Sequence, residues 1–236
     1  EEERERLESQ MRAIRINSLR PVYYDKLLTN LIADPATYFA EKASFAQEFP
    51  RLTEGAPCRA SLLATDTMHG KLRDKFAAHT DLLLFSLTNI CNELLNAPDD
   101  GFAFRFWSGS QQIALLHWGR PERAEQVLEA INDGLYRTFG TRVEFGIGSA
   151  RPFPHGAKQS HAEAETALRQ RNLRKRSAWV HVFDPQKHSP PADLHFSDYE
   201  ERVRLAIRSA SKEKIAEAVD DWIAEVRKKD VVTMDH

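Results

Sequence analysis

The sequence has only two cysteines, Cys58 and Cys91, and neither stands at a spacing typical of a metal site. Both lie among apolar residues, so we expect free, buried thiols in a reducing cytoplasm rather than a disulfide framework. The nine histidines are scattered and form no HxH, HExxH or Cys/His cluster, which argues against a zinc site. The sequence therefore predicts no metal site and no cofactor.

Charge of one dominant sign is also missing, because 33 Lys and Arg stand against 35 Asp and Glu, a formal net charge of −2. This balance excludes a global attraction to nucleic acid or to an anionic membrane. The basic run at 169–176 has no interleaved aromatic residues, which is more typical of a solvated helix end than of a nucleic-acid site. No apolar run approaches the ~20 residues that span a bilayer, so no membrane partner is expected.

The strongest local pattern is the stretch 101–118, GFAFRFWSGSQQIALLHW. Apolar residues recur with a period of two on both sides of Ser108-Gly109-Ser110, which predicts a β-hairpin with its turn at these three residues. Both faces of the hairpin are largely apolar, so we expect it to lie centrally in a sheet covered by helices. We also expect all four tryptophans to lie in apolar cores.

The helix and strand patterns on both sides of the hairpin predict an α+β fold. The order is strand, helix, strand, strand, helix, strand, helix, strand, which gives a five-stranded mixed sheet with packed helices. The helix predicted at 71–97 has an apolar face formed by Leu82, Leu83, Phe85, Leu87, Ile90, Leu94 and Leu95. Gly140 is the expected C-terminal stop of the helix over 121–139.

Helical segments precede and follow this region. We predict three parts: a helical linker or coiled-coil segment over 1–57, the α+β domain over 58–185, and a linker with a helical pair over 186–236. Leu7, Met11 and Ile14 follow a 4-3 spacing that fits a dimer seam, but two heptads fit a helix packed on its own domain equally well.

The strand order with its hairpin resembles the catalytic domain of diguanylate cyclases, the GGDEF family. The resemblance covers roughly residues 59–184, and Gly146-Ile147-Gly148 matches a later Ser-x-Gly core of the family. The family's five tip residues fall on Gly109, Ser110, Gln111, Gln112 and Ile113, and its upstream Asp-x-Asp-x-Phe-Lys pattern begins at Asp66 and places Lys71 at the lysine.

The resemblance implies two divalent cations held by carboxylates, and such cations need charged oxygen ligands. Here Gln111 and Gln112 replace the acidic tip residues, so we predict a domain without catalytic residues and not an enzyme. Asp66, Lys71 and the tip residues would form a remnant nucleotide cleft. For Asp66 and Lys71 an ordinary solvated side chain is the favoured interpretation, and for the tip a plain hairpin turn.

A second resemblance includes the flanks. The chain is similar to the central region of AraC-type two-component response regulators, in which a charged helix leads into a degenerate GGDEF-like domain and a helical pair follows. This implies a receiver domain and a helix-turn-helix domain outside the present sequence. Their partners would be a sensor histidine kinase and DNA.

Two functions are therefore open. The first is a non-catalytic, signal-transmitting and homodimerising module of a transcription regulator. The second is a sensor that binds a small molecule or nucleotide in the remnant cleft. The family's feedback site, Arg-x-x-Asp, would fall at Asp100 and Ala103, where neither residue matches.

Overall fold

The computed structural model describes residues 21–65, 68, 74, 76, 78–108, 110–173, 178–186 and 196–228. The chain divides into two compact units, one of residues 1–168 with 179–183 and the other of residues 169–178 with 184–236. The predicted dimer seam at Leu7, Met11 and Ile14 lies outside the described residues. The division into three parts stays a prediction.

The first unit contains six helices and six strands among its described residues, with a short 3₁₀ turn at Pro121–Arg123. In chain order its regular elements are α1 (21–33), α2 (Thr37–Ala40), α3 (Lys42–Glu48), β1 (Pro57–Ala64), α4 (Thr80–Leu94), β2 (Gly101–Ser108), β3 (Ser110–His117), α5 (Ala124–Phe139), β4 (Glu144–Ile147), β5 (Arg151–Pro152), α6 (His155–Arg169) and β6 (Val180–Val182).

The strand order in the sheet is β2-β3-β1-β4-β6, and β5 pairs with the start of β1. Strands β1 to β4 pair antiparallel, whereas β6 runs parallel to β4. The predicted mixed α+β fold is confirmed. The two-residue strand β5 is a sixth strand that the sequence pattern did not reveal, because two residues are too few to show a period.

Helices cover both faces of the sheet. One core joins the sheet to α1, α2, α3 and α6, with the side chains of Leu28, Phe45 and Ala164 buried completely. The other core joins the sheet to α4 and α5, with Leu87, Leu128 and Phe145 buried completely. Because apolar side chains alternate between the two cores along each strand, the sequence period of two is satisfied on both faces.

The hairpin does not lie centrally, and this prediction was wrong. Strand β2 is an edge of the sheet and β1 is its middle strand. Two apolar faces require only that helices cover both faces, and they place no constraint on which strand lies at the edge.

Three apolar side chains predicted to be buried are exposed. Leu82 and Phe85 of α4 are 54% and 48% exposed, and Trp107 of β2 is 61% exposed. The buried face of α4 runs instead through Leu83, Leu84, Leu87 and Cys91. The predicted apolar face was wider than the stripe that one neighbouring surface can cover.

Three glycines account for the end of one helix and for a close contact between a helix and a strand. Gly140 ends α5 with a positive φ of 67°, a conformation that suits glycine. A Cβ atom at Gly146 or Gly148 would collide with a carbonyl oxygen of α6, at Ala164 or Ser160 respectively. The two glycines therefore allow α6 to pack directly on β4.

The second unit contains a pair of helices, α7 (Phe196–Arg208) and α8 (Lys212–Lys228). They contact each other, and Arg202 of α7 forms an ion pair with Asp221 of α8 at 2.9 Å. Ser211 accepts a hydrogen bond from the Lys214 amide and so caps the start of α8. Within the described ranges, no helix is both long and apolar enough to cross a membrane.

Candidate functional site

The hairpin tip is the first candidate, because the resemblance places a cyclase motif there. In the structure Trp107 lies opposite Gln111 and Phe106 lies opposite Gln112. Leu63, near the end of β1, lies opposite Ile113. The end of β1 and the hairpin tip therefore meet at the same end of the sheet.

Only part of the predicted remnant cleft can be placed. Asp66, Lys71 and Gly109 lie outside the described residues, and Ser110 and Gln111 are placed by their backbone in β3. Gln112 follows them in β3 and is partly buried. Among the described residues, no three His, Cys, Asp or Glu side chains lie close enough to hold a metal ion. The prediction that no metal binds stays a prediction, since Asp66 is not among them.

A second candidate is the contact between α1 and the edge strand β2. The Arg105 amide donates a hydrogen bond to Asp25 Oδ1 at 2.9 Å. Thr29 Oγ1 donates to the Arg105 carbonyl at 3.3 Å and accepts from the Trp107 amide at 3.4 Å. Two side chains of α1 thus bond the outward-facing backbone of β2, and we call these contacts the α1 clamp.

The α1 clamp includes an ion pair. Arg105 Nε donates to Asp25 Oδ2 at 3.1 Å, and its Nη1 donates to Asp81 Oδ1 of α4 at 3.1 Å. Burial raises the pKa of Asp25 above its ordinary value, against the opposing effect of its hydrogen bonds from Arg105. The guanidinium therefore ties α1, β2 and α4 together.

The edge is closed further along by α4. The Asn92 side chain accepts from the Ala103 amide at 2.7 Å and donates to the Ala103 carbonyl at 2.9 Å. Together with the α1 clamp, this occupies outward-facing backbone groups of β2 at residues 103, 105 and 107. Such groups would otherwise be available to pair with another strand.

Sequence reasoning missed these edge residues, although one signal was present. Asp25 lies between Tyr24 and Leu27 on the apolar stripe of α1 and is only 4% exposed. A carboxylate on a buried stripe needs a hydrogen-bonded partner. The partner, Arg105, is 80 residues away in the sequence, so the pattern could not identify it.

Two further buried polar groups were not predicted. His117 Nε2 lies 2.9 Å from Ser61 Oγ in the centre of the sheet, and burial, with the nearby charge of Arg59, lowers its pKa to about 3. His161 lies against the ring of Phe106, with 4.5 Å between ring centroids. Burial lowers the pKa of His161 to about 4, and its Nε2 has no hydrogen-bond partner among the residues that the structure describes. Both rings are neutral near pH 7.

The two cysteines behave as expected. Cys58 and Cys91 are free and buried, and burial raises the pKa of each thiol to about 12. Both thiols are protonated near pH 7, so neither is a nucleophile there, because the thiolate is the reactive form.

Comparison with known proteins agrees with this architecture. Residues 54–170 match the model of the GGDEF-like domain family. The chain contains a GGDEF-like domain. The match covers β1 through α6, which includes the hairpin and both faces of the sheet.

Two solved structures are similar to the chain. An EAL/GGDEF domain protein from M. capsulatus has a TM-score of 0.41 and 19% identity, with 60% of this chain and 97% of that chain covered. A Vibrio cholerae LapD fragment of S helix, GGDEF and EAL, bound to c-di-GMP, has a TM-score of 0.46 and 11% identity. This chain spans 46% of that fragment, which covers 86% of this chain. No curated protein sequence matches this chain.

Asp100, where the resemblance would place the start of the family's feedback motif, forms an internal ion pair. Asp100 Oδ2 accepts a hydrogen bond from Arg120 Nη2 at 2.8 Å, and this bond lowers the pKa of the Asp100 carboxyl. Ala103 is buried and bonded through its backbone to Asn92. Asp100 carries the opposite charge to the arginine that the family places first in its Arg-x-x-Asp feedback motif.

Proposed function

We propose that this chain is a non-catalytic, signal-transmitting and homodimerising module of a two-component response regulator that controls transcription. In that parent protein a receiver domain would accept the phosphoryl signal from a sensor histidine kinase. A separate AraC-type domain would bind DNA. The GGDEF-like domain between them would carry the signal and perform no chemistry of its own.

The observation that supports transmission most directly is the α1 clamp. Helix α1 follows the predicted dimer seam, and Asp25 and Thr29 bind it to the strand that runs to the hairpin tip. A shift of α1 along its axis would have to break these bonds or move β2 with it. A helix bonded to one strand in this way can pass a displacement into the sheet, provided that two discrete arrangements exist.

The tip supports the non-catalytic part of the proposal. By the resemblance, Gln111 and Gln112 of β3 stand where the family has its acidic residues. An amide oxygen carries no net charge, and hard divalent cations in such sites rely on carboxylates. We therefore expect neither tight binding of Mg²⁺-GTP nor its turnover.

The first experiment mixes the purified chain with GTP and Mg²⁺ and follows both binding by calorimetry and products by chromatography. A diguanylate cyclase with an intact motif serves as the positive control. Neither heat of binding nor product is expected. Product formation would contradict the proposal, and GTP binding without turnover would favour the alternative, a nucleotide sensor in the remnant cleft.

The second experiment tests the place of DNA binding. Because the proposal assigns DNA contacts to another domain, the chain alone should not retard duplex DNA in a gel at physiological salt. A salt-sensitive shift of the duplex would contradict this assignment.

A further inference from the structure

A pocket of about 320 Å³ opens between α1 and α4, over the edge strand β2. Three aromatic side chains, Tyr24, Phe85 and Phe102, line it. The carboxylate and the guanidinium in its lining, Asp25 and Arg105, pair with each other. The surface that remains is largely apolar, and a groove of this kind beside a helix suits the apolar face of another helix.

The outer wall of the pocket continues into a row of exposed side chains on α4. Leu82, Phe85 and Asn89 follow a 3-4 spacing on the helix, and all three are exposed. Phe85 and Asn89 line the pocket, and Leu82 extends the row beyond it. We call these residues the α4 row, which is about 10 Å long at a rise of 1.5 Å per residue. Its apolar side chains gain burial only when a further element covers them.

The chain arrives at this pocket directly from residues 1–20. Pro21, the first described residue of α1, is one of the lining residues. In the preceding segment, Leu7, Met11 and Ile14 have the 4-3 spacing of a helical apolar stripe, which we call the N-terminal stripe. In a helix this stripe is also about 10 Å long. The N-terminal stripe therefore matches the α4 row in length and in character.

The connection between the stripe and the pocket is short. From Ile14 to Pro21 the chain can reach at most about 24 Å. A tether of this length holds the stripe near the pocket at an effective concentration in the range of about 1 mM. A second copy of the chain at about 1 µM is a thousandfold more dilute. Even a weak contact with its own pocket then competes with pairing between two chains.

We propose that segment 1–20 docks on this pocket of its own chain and packs the N-terminal stripe against the α4 row. The same stripe is the predicted dimer seam, so docking and seam pairing exclude each other. Docking is favoured in dilute solution, and pairing prevails as the concentration of the chain rises. Where this rests on the proposed function, it supplies the two discrete arrangements that transmission requires.

The test places one cysteine in the stripe and one in the α4 row of the full chain, Met11→Cys with Asn89→Cys. The native Cys58 and Cys91 are buried and do not compete. At about 1 µM chain, oxidised glutathione should give a disulfide within one chain, seen on a non-reducing gel and mapped by mass spectrometry. The control joins Met11→Cys to Glu165→Cys, an exposed position on α6 at the other face of the sheet. It should cross-link at least about tenfold more slowly.

A second pair of variants measures the competition with the dimer. Phe85→Ser removes the ring of the α4 row, so it should slow the Met11–Asn89 cross-link. It should also lower the dissociation constant of the dimer at least about threefold, because the competing arrangement is weakened. Tyr136→Ser is the control, since Tyr136 is an aromatic residue of similar exposure on α5 that does not line the pocket. It should change neither quantity.

Three results would overturn the proposal. The first is a Met11–Asn89 cross-link that forms no faster than the Met11–Glu165 control. The second is a cross-link that forms only between two chains, which would place the segment of a second copy on the pocket. The third is a Phe85→Ser variant that cross-links as fast as the parent. A cross-link within one chain, together with no dimer at any concentration, would support docking and contradict the proposed function.

Discussion

Two backbone segments are tied to helices by the same device, one just before the interior strand β4 and one in the edge strand β2. Asn132 of α5 bonds both the amide and the carbonyl of Val143, 11 residues later, at 2.8 Å each. Asn92 of α4 bonds both groups of Ala103, again 11 residues later, at 2.7 and 2.9 Å. Each asparagine thus bonds both backbone groups of one residue, as a neighbouring strand would.

The surroundings of the two asparagines differ. Asn132 is 1% exposed and helps to close the core before β4. Asn92 is partly buried and lines a pocket of about 320 Å³ between α1 and α4, above β2. The cost of losing such a bond depends on whether water can replace it. The interior pair should therefore serve stability, and the edge pair should serve the sealing of β2 and the shape of the pocket.

The largest effect is expected for Asn132→Ala. It leaves the amide and carbonyl of Val143 without partners in a buried site, which should lower the free energy of unfolding by about 3 kcal/mol. Chemical denaturation measures this change. Asp133→Ala is the control, because its ion pair with Arg142 is on the surface and should contribute at most about 1 kcal/mol. If Asn132→Ala loses less stability than Asp133→Ala, the buried bonds of Asn132 do not stabilise the fold as argued.

Acid should destabilise the domain without acting on either asparagine. His117 and His161 have pKa values lowered to about 3 and about 4 when folded, against about 6.5 when unfolded. The unfolded state therefore binds more protons below pH 6.5, so stability falls as pH falls. Each histidine should lower the free energy of unfolding by about 1.6 kcal/mol between pH 6.5 and 5.

The variant His161→Phe isolates one of these contributions. It removes a buried nitrogen that has no hydrogen-bond partner in the described part of the chain and keeps an aromatic ring beside Phe106. Its loss of stability between pH 6.5 and 5 should be about 1.6 kcal/mol smaller than that of the wild type. Denaturation curves at the two pH values measure the difference, and identical pH slopes would refute the assignment of a neutral, buried His161.

A smaller effect is expected for Asn92→Ala, about 1.5 kcal/mol, because water can reach the freed backbone groups of Ala103. Hydrogen exchange of the Ala103 amide should become faster while exchange of the Val143 amide stays unchanged. If this variant loses as much stability as Asn132→Ala, solvent access does not distinguish the two sites.

The smallest effect is expected for Thr29→Val, which keeps the shape of the side chain and removes its hydroxyl. The α1 clamp then loses its bonds to the Arg105 carbonyl and the Trp107 amide, at a cost of about 1 kcal/mol. The Trp107 amide should exchange faster, with the Ala103 amide as the internal control. Unchanged exchange at Trp107 would mean that Thr29 does not hold β2.

The sequence pattern was sufficient to predict the order of the helices and strands along the chain. It was not sufficient to predict which elements lie next to each other in space. Periods of two and 3.6 residues are local, so β1, the hairpin and α5 could be predicted. The outward-facing backbone of β2 is bonded by Asp25 and Thr29, which lie 76–80 residues from their partner Arg105. No local pattern carries such information.

The candidate site residues also fall into those that the sequence could place and those that it could not. Gln111 and Gln112 could be placed in the hairpin from the sequence, because the register of a hairpin follows from its turn. The pocket could not, since its walls come from three elements and its exposed ring, Phe85, was expected in the core. The misassignment of Phe85 arose because an apolar side chain on a helix can face either a core or a pocket mouth.

The measurement that tests the proposed function most directly is the mass of this chain in solution, by light scattering with and without GTP and Mg²⁺. We predict twice the 27.0 kDa of one chain, unchanged by the nucleotide, as expected of a dimeric module that performs no chemistry. A mass of 27.0 kDa, or a mass that shifts with GTP and Mg²⁺, would contradict it.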